Sequence, residues 1–142
     1  MTYLPDVNVW IALVVGSHQH TAAATRWLEK TLDDGEAVAF CRVTQHGFLR
    51  LLTNKTLMRD DVLTAGQAWE LYETWSRPLE ARLVSEPPGL ERAWRSATTR
   101  AKGGKNVWTD AYLAAFALTA GYTVVTFDRG FEQYEVELRL LT

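Results

Sequence analysis

The sequence is 142 residues long, 47% hydrophobic and 23% charged, the length and composition of one globular domain, which excludes disordered, coiled-coil and collagen-like classes. The formal charge is −2 and the pI about 5.9, so no global positive field draws the chain to nucleic acid or membrane, and any such contact has to come from a local patch. A single cysteine, Cys41, excludes an intramolecular disulfide framework and a cysteine-rich zinc site, and fits a reducing compartment.

The opening, Met1 to Pro5, carries no positive n-region, and the apolar run Val9 to Val15 is too short for a signal or membrane helix. The expectation is one domain over 1–142, cytoplasmic, with no membrane contact. In chain order, a short strand at Thr2 to Leu4 runs into Asp6, followed by helices at Val7 to Val15 and His20 to Leu32. Ala37 to Cys41 reads as an apolar strand, and Val43 to Leu52 as a helix with Val43, Phe48, Leu51 and Leu52 buried. Thr64 to Trp75 is a helix with Thr64 as its N-cap. Arg82 to Ser85 is a short strand closed by Pro87-Pro88, and Leu90 to Ala101 is helical. The Ala-rich run Val107 to Ala120 has high helix propensity and stops at Gly121. Tyr122 to Phe127 reads as a buried strand, because Val124 and Val125 leave no polar alternation, and Glu137 to Leu141 is the last strand. Strands interleaved with helices predict a three-layer α/β/α sandwich around a mainly parallel sheet.

Seven aspartates occur, and their positions are informative. Asp33-Asp34 and Asp60-Asp61 fall in polar loops, where capping or solvation explains them. Asp6 ends the first strand, Asp128 follows the strand Tyr122 to Phe127, and Asp110 lies in the first turn of the Ala-rich helix. In a parallel α/β sheet, ligands bind outside the carboxyl ends of the strands, the edge that carries Asp6 and Asp128. Asp110 joins them if its helix starts at that crevice. Three carboxylates in a small space repel one another unless one takes a proton or a cation neutralises them. With no cysteine or histidine set beside them, the matching cation is hard, Mg²⁺ or Mn²⁺. Such an ion polarises a phosphoryl oxygen and supplies a hydroxide-like water, the chemistry of phosphodiester hydrolysis. Each acid also has a plain structural reading: Asp6 as a helix cap, Asp110 as an acid favoured by the helix dipole, Asp128 as a turn residue.

Three segments resemble the motifs of PIN-domain nucleases: Leu4-Pro5-Asp6-Val7-Asn8-Val9-Trp10, then Asn106-Val107-Trp108-Thr109-Asp110-Ala111-Tyr112, then Val124-Val125-Thr126-Phe127-Asp128-Arg129-Gly130. Their order and spacing, over nearly the whole chain, are similar to those of VapC toxins of toxin–antitoxin modules. The resemblance implies a Mg²⁺-dependent endoribonuclease, an RNA substrate, a small VapB-type antitoxin as partner and a homodimer. It also implies that Asp6, Asp110 and Asp128 are the catalytic, metal-binding acids, with Thr126 and Asn8 beside them as groups that orient them. One departure stands out. PIN nucleases usually carry a further acid, commonly Glu, in the helix after the second strand, whereas Cys41 to Arg50 contains none and Gln45 or Gly47 falls near its place. The Thr44-Gln45…Gly47-Phe48…Arg50 pattern is similar to that of a subgroup of VapC-like sequences. The missing acid leaves the number of metals open, and a PIN fold weakened in catalysis and acting by binding is the nearest alternative.

Other features carry less. His18, His20 and His46 have no recognisable zinc-ligand spacing. Arg95, Arg100, Lys102 and Lys105 form a basic stretch that suits an RNA backbone or a solvated helix face equally. Arg42 and Arg50, beside the missing acid, are candidates for phosphate contact. Trp69 and Trp75 are expected in the core or at a dimer or antitoxin surface. A phospho-acceptor receiver needs its aspartate at a mid-chain strand end, and Asp60-Asp61 lies in no strand pattern. A phosphatase with an aspartate nucleophile needs a second aspartate where Asn8 stands.

Overall fold

The computed structural model describes residues 1–142. The elements are β1 (Thr2–Pro5), α1 (Val7–Val14), α2 (Thr21–Asp33), β2 (Ala37–Phe40), α3 (Arg42–Leu52), α4 (Lys55–Met58), α5 (Ala65–Ser76), β3 (Arg82–Leu83), α6 (Leu90–Arg100), α7 (Val107–Ala120), β4 (Thr123–Thr126) and β5 (Leu138–Leu140). Two 3-10 turns, Arg59–Asp61 and Arg129–Gln133, lie between them. The five strands form one parallel sheet in the order β3-β2-β1-β4-β5. This is the α/β/α sandwich expected from the alternation of elements.

Alternate residues of a strand point to opposite faces, and the central strands divide their side chains accordingly. Tyr3 of β1, Val38 and Phe40 of β2 and Val125 of β4 enter one core. Leu4, Ala39 and Val124, their neighbours in sequence, enter another. The first core is closed by the apolar faces of α1, α2, α3 and α5, with Trp10 stacked on Phe40 at 4.1 Å and Phe40 edge-on to Tyr72 at 5.0 Å. The second is closed by α7, whose residues 111–117 are all buried, with Leu90 of α6 and Phe131. An interior covered on both faces explains why β4 lacks polar alternation.

Local signals end the elements where the chain demands. Thr64 accepts from the N–H of Gln67, and the Gln67 side chain accepts from the N–H of Thr64, a reciprocal cap that starts α5. Gly121, at φ 74°, ends α7 in the left-handed region, and the N–H of Tyr122 closes back on the carbonyl of Ala117 at 2.8 Å. That closure takes Tyr122 out of the strand expected there, so β4 begins at Thr123. β3 is likewise shorter than Arg82 to Ser85, and β5 shorter than Glu137 to Leu141.

The strand order decides where a ligand sits. From β1 the chain crosses to β2 on one side, while β4 returns to pair with the other side of β1. The crevice outside the carboxyl ends of β1 and β4 is therefore the point where the winding reverses, the position at which open parallel sheets bind ligands.

Candidate functional site

Asp6 leaves β1 at that crevice, its own N–H bonded to the carbonyl of Val125 in β4 at 2.8 Å. Its Oδ1 accepts from the N–H of Val7 at 2.7 Å, capping α1, and its Oδ2 accepts from the Thr126 hydroxyl at 2.9 Å. The capping role and the crevice position thus belong to one side chain. The Thr126 oxygen also accepts from the N–H of Asp128 at 3.0 Å and from the Asn8 amide at 3.4 Å, so one buried hydroxyl, a donor once and an acceptor twice, ties β1, α1 and β4 together. Asn8 therefore reaches the acids only through Thr126, and its Oδ1 is buried with no partner. Asp128 accepts from the N–H of Gly130 at 2.8 Å through Oδ1, the expected turn, which leaves Oδ2 free. Asp110 lies in the first turn of α7, half-buried, its carboxylate without a hydrogen bond.

All three open on one cavity of about 920 Å³. Electrostatics registers their proximity. Burial first, then the charges of Asp6 and Asp128, push the Asp110 carboxyl up to about 7. Burial also raises Asp6, assisted by Asp128 and opposed by the hydrogen bonds from Thr126 and Val7. The phenol of Tyr134 is raised by burial and then by Asp110 and Asp128. An acid that keeps its proton near neutrality, through burial first and then through two neighbouring carboxylates, marks a site short of positive charge.

The three aspartates offer oxygen donors alone, which suit a hard divalent cation better than a metal that favours thiolate or imidazole. Spare lone pairs remain on each aspartate, since Asp110 is unbonded and Asp128 uses only Oδ1. The set fits such an ion in donor type and charge. No three acidic, imidazole or thiol side chains stand at metal-ligand spacing around one point, so the three aspartates share the cavity without closing on a single coordination point.

The other side of the cavity was less visible from sequence. Asp60 and Asp61, expected as solvated loop residues, lie in a 3-10 turn that lines it, and Arg59 before them has φ 51°. His18, His46, Gly47 and Arg50 line it too. His20 does not; it stacks on Phe127 at 4.3 Å, and the His18 Nδ1 accepts from its N–H. Arg42 is bonded to Gln45 at 2.7 Å and is absent from the lining. The basic stretch Arg95, Arg100, Lys102 and Lys105 lines none of it, and Arg95 pairs with Glu91 instead. Trp75 packs on the core, whereas Trp69 is half exposed.

Comparison with known proteins agrees with this architecture. The family model described as PIN domain matches residues 3–137. Ribonuclease VapC41 of Mycobacterium tuberculosis is 43% identical over 145 residues, covering 97% of each chain. Among solved structures, VapBC2 of Rickettsia felis, bound to a DNA fragment from its promoter, matches with a TM-score of 0.71 over 99% of this chain and 98% of that one, at 12% identity. VapC20 of M. tuberculosis, described as a toxin that cleaves the sarcin-ricin loop, matches at 0.67 over 92% of each, at 19% identity. The chain belongs to the PIN-domain family, and within it to the VapC ribonucleases, the toxins of VapBC modules. Ribonucleases of this kind generally depend on a divalent metal. Membership removes the receiver and phosphatase readings. No helix is long and apolar enough to cross a membrane.

Proposed function

We propose that the chain, acting as one PIN-like unit over 1–142, hydrolyses RNA phosphodiester bonds with Mg²⁺, or Mn²⁺ in its place, held by Asp6, Asp110 and Asp128. The observation that carries this is the opening of Asp6, Asp110 and Asp128 on one cavity at the carboxyl ends of β1 and β4, with the Asp110 carboxyl pushed up to about 7 by burial and by the charges of the other two. A bound divalent ion supplies a polarised phosphoryl oxygen and an activated water. Asp6 is held for that role by Thr126 and by the N–H of Val7, so its carboxylate does not have to be ordered when substrate arrives. Asp128 is held by Gly130, and Asp110 by the rigid first turn of α7. Thr126 fixes the distance between the β1 and β4 acids by bonding to both segments at once.

The relatives bear on partners. VapC41 is a ribonuclease by name, VapC20 cleaves the sarcin-ricin loop, and the Rickettsia protein forms a VapBC complex on promoter DNA. The corresponding reading here is an RNA substrate and a small VapB-type antitoxin, with the toxin as a homodimer. The absent acid near Gln45 or Gly47 favours a second reading, a weakened enzyme that acts by binding.

The direct test is cleavage of RNA with Mg²⁺ and with EDTA, for the parent chain and Asp6→Ala. EDTA is expected to abolish cleavage, and Asp6→Ala to lower kcat by roughly 100-fold or more, since the metal contributes several kcal/mol to the transition state. Cleavage untouched by both changes overturns the proposal. Weak or absent Mn²⁺ binding by calorimetry, with no cleavage, supports the weakened reading, whereas Mn²⁺ bound by the parent chain and lost in Asp110→Ala counts against it.

A further inference from the structure

We propose that Arg50 of α3, with His46 one turn before it, grips a phosphate of the RNA from the wall of the cavity on which the three aspartates open, and so determines how the strand lies across them. The proposal rests on the ribonuclease reading above and adds the element that reading lacks. Five aspartates line the cavity against two arginines. A single divalent ion leaves that surface acidic, and RNA is a polyanion, so substrate needs a cation of the protein beside the metal site.

Arg50 meets that need. It is exposed, lines the cavity, and takes part in no ion pair or side-chain hydrogen bond, whereas Arg77, Arg95 and Arg129 are paired with glutamates and Arg42 with Gln45. Arg59, the other arginine of the lining, adjoins two of the five acids, Asp60 and Asp61, in sequence, whereas α3 carries no acid at all. His46 and Arg50 are four residues apart, so they share one face of α3, and that helix is anchored by Phe48 and Leu52 in the core. The guanidinium presents a planar fork of donors matched to two phosphate oxygens, and an imidazole N–H donates a hydrogen bond in either protonation state.

Gly47, between them, explains why α3 brings no carboxylate to the cavity. A Cβ built on it meets Val7 Cγ2 at 2.7 Å. The close passage of α3 over α1 therefore leaves no room for a side chain at 47, and α3 contributes His46 and Arg50 to the lining in its place.

The test measures binding of a short mixed-sequence single-stranded RNA in Ca²⁺ over a salt series, alongside steady-state cleavage in Mg²⁺ and Mn²⁺ calorimetry. Arg50→Ala is expected to weaken RNA binding roughly 10-fold or more and to reduce the slope of log K against log salt by about 0.7. It is expected to raise KM more than it lowers kcat, and to leave Mn²⁺ affinity and the melting temperature unchanged. Arg50→Lys keeps the salt slope while losing part of the affinity. An unchanged slope and KM in Arg50→Ala overturns the proposal even where EDTA still stops cleavage. Cleavage indifferent to EDTA and to Asp6→Ala overturns the ribonuclease-metal reading instead.

Discussion

At the scale of single residues, the site turns on contacts one atom deep. Val7 has two such constraints: its N–H caps onto Asp6 at 2.7 Å, and its Cγ2 fills the space above Gly47. Gly47→Ala sets two effects against each other. Replacing a mid-helix glycine by alanine favours the helix by roughly 1 kcal/mol, while overpacking a fitted contact costs about 1–3 kcal/mol. Val7 is β-branched and stiff, so the second effect wins and the net change is destabilising. The displaced Val7 carries the Asp6 carboxylate with it, so cleavage falls as well. In a Val7→Ala background the clash is gone and the same substitution is expected to stabilise. Denaturant melts of the two singles and the double, with RNA cleavage for each, check the reversal; equal effects in both backgrounds contradict it.

Elements were legible from sequence in proportion to their length and punctuation. Helices α2, α3, α5, α6 and α7 run long enough for apolar spacing to show, and Gly121 and Thr64 mark ends that the structure keeps. Helix α4 and the two 3-10 turns span only three to five residues each, too short for any periodicity. The order β3-β2-β1-β4-β5 was not legible either, because strand adjacency depends on contacts far apart in the chain. That gap had a consequence: Asp6 and Asp128 stood out as strand-end acids, but Asp60, Asp61 and Arg50 reach the cavity only through the folding of α3 and the turn after it. Helix α5 offers a test of the local signals. Thr64→Ala removes one half of a reciprocal cap whose partner is Gln67, at a cost of about 1 kcal/mol. Thermal unfolding is expected to drop by roughly 2–4 °C, with cleavage unaffected because α5 supplies nothing to the cavity lining.

For the whole molecule, the raised acids tie folding to pH, and the proposed metal site would tie it to Mg²⁺ as well. Asp110 is raised from 3.8 to about 7 in the folded chain. Between those values the folded state holds a proton that the unfolded state has released, so stability from this group is greatest at low pH and declines as pH rises towards 7. Asp6 is shifted in the same direction. Asp110 is only half-buried, so solvent screens part of the repulsion and the full shift does not convert into stability. Asp110→Asn, which removes the charge and keeps the shape, is therefore expected to melt higher than the parent chain at pH 8 without metal, and to lose that advantage by pH 4. Mg²⁺ held by the three acids as proposed is expected to reverse the ranking, because the ion would bind only the ionised set and stabilise the folded state by mass action, about 2.7 kcal/mol at 100 times its Kd. The parent should gain more from Mg²⁺ at pH 8 than at pH 5, and Asp110→Asn should gain little at either. Melting curves for both proteins at the three pH values, with Mg²⁺ and with EDTA, decide the matter. A Mg²⁺ gain that is equal at pH 5 and pH 8, or undiminished in Asp110→Asn, would place the ion somewhere other than among these aspartates.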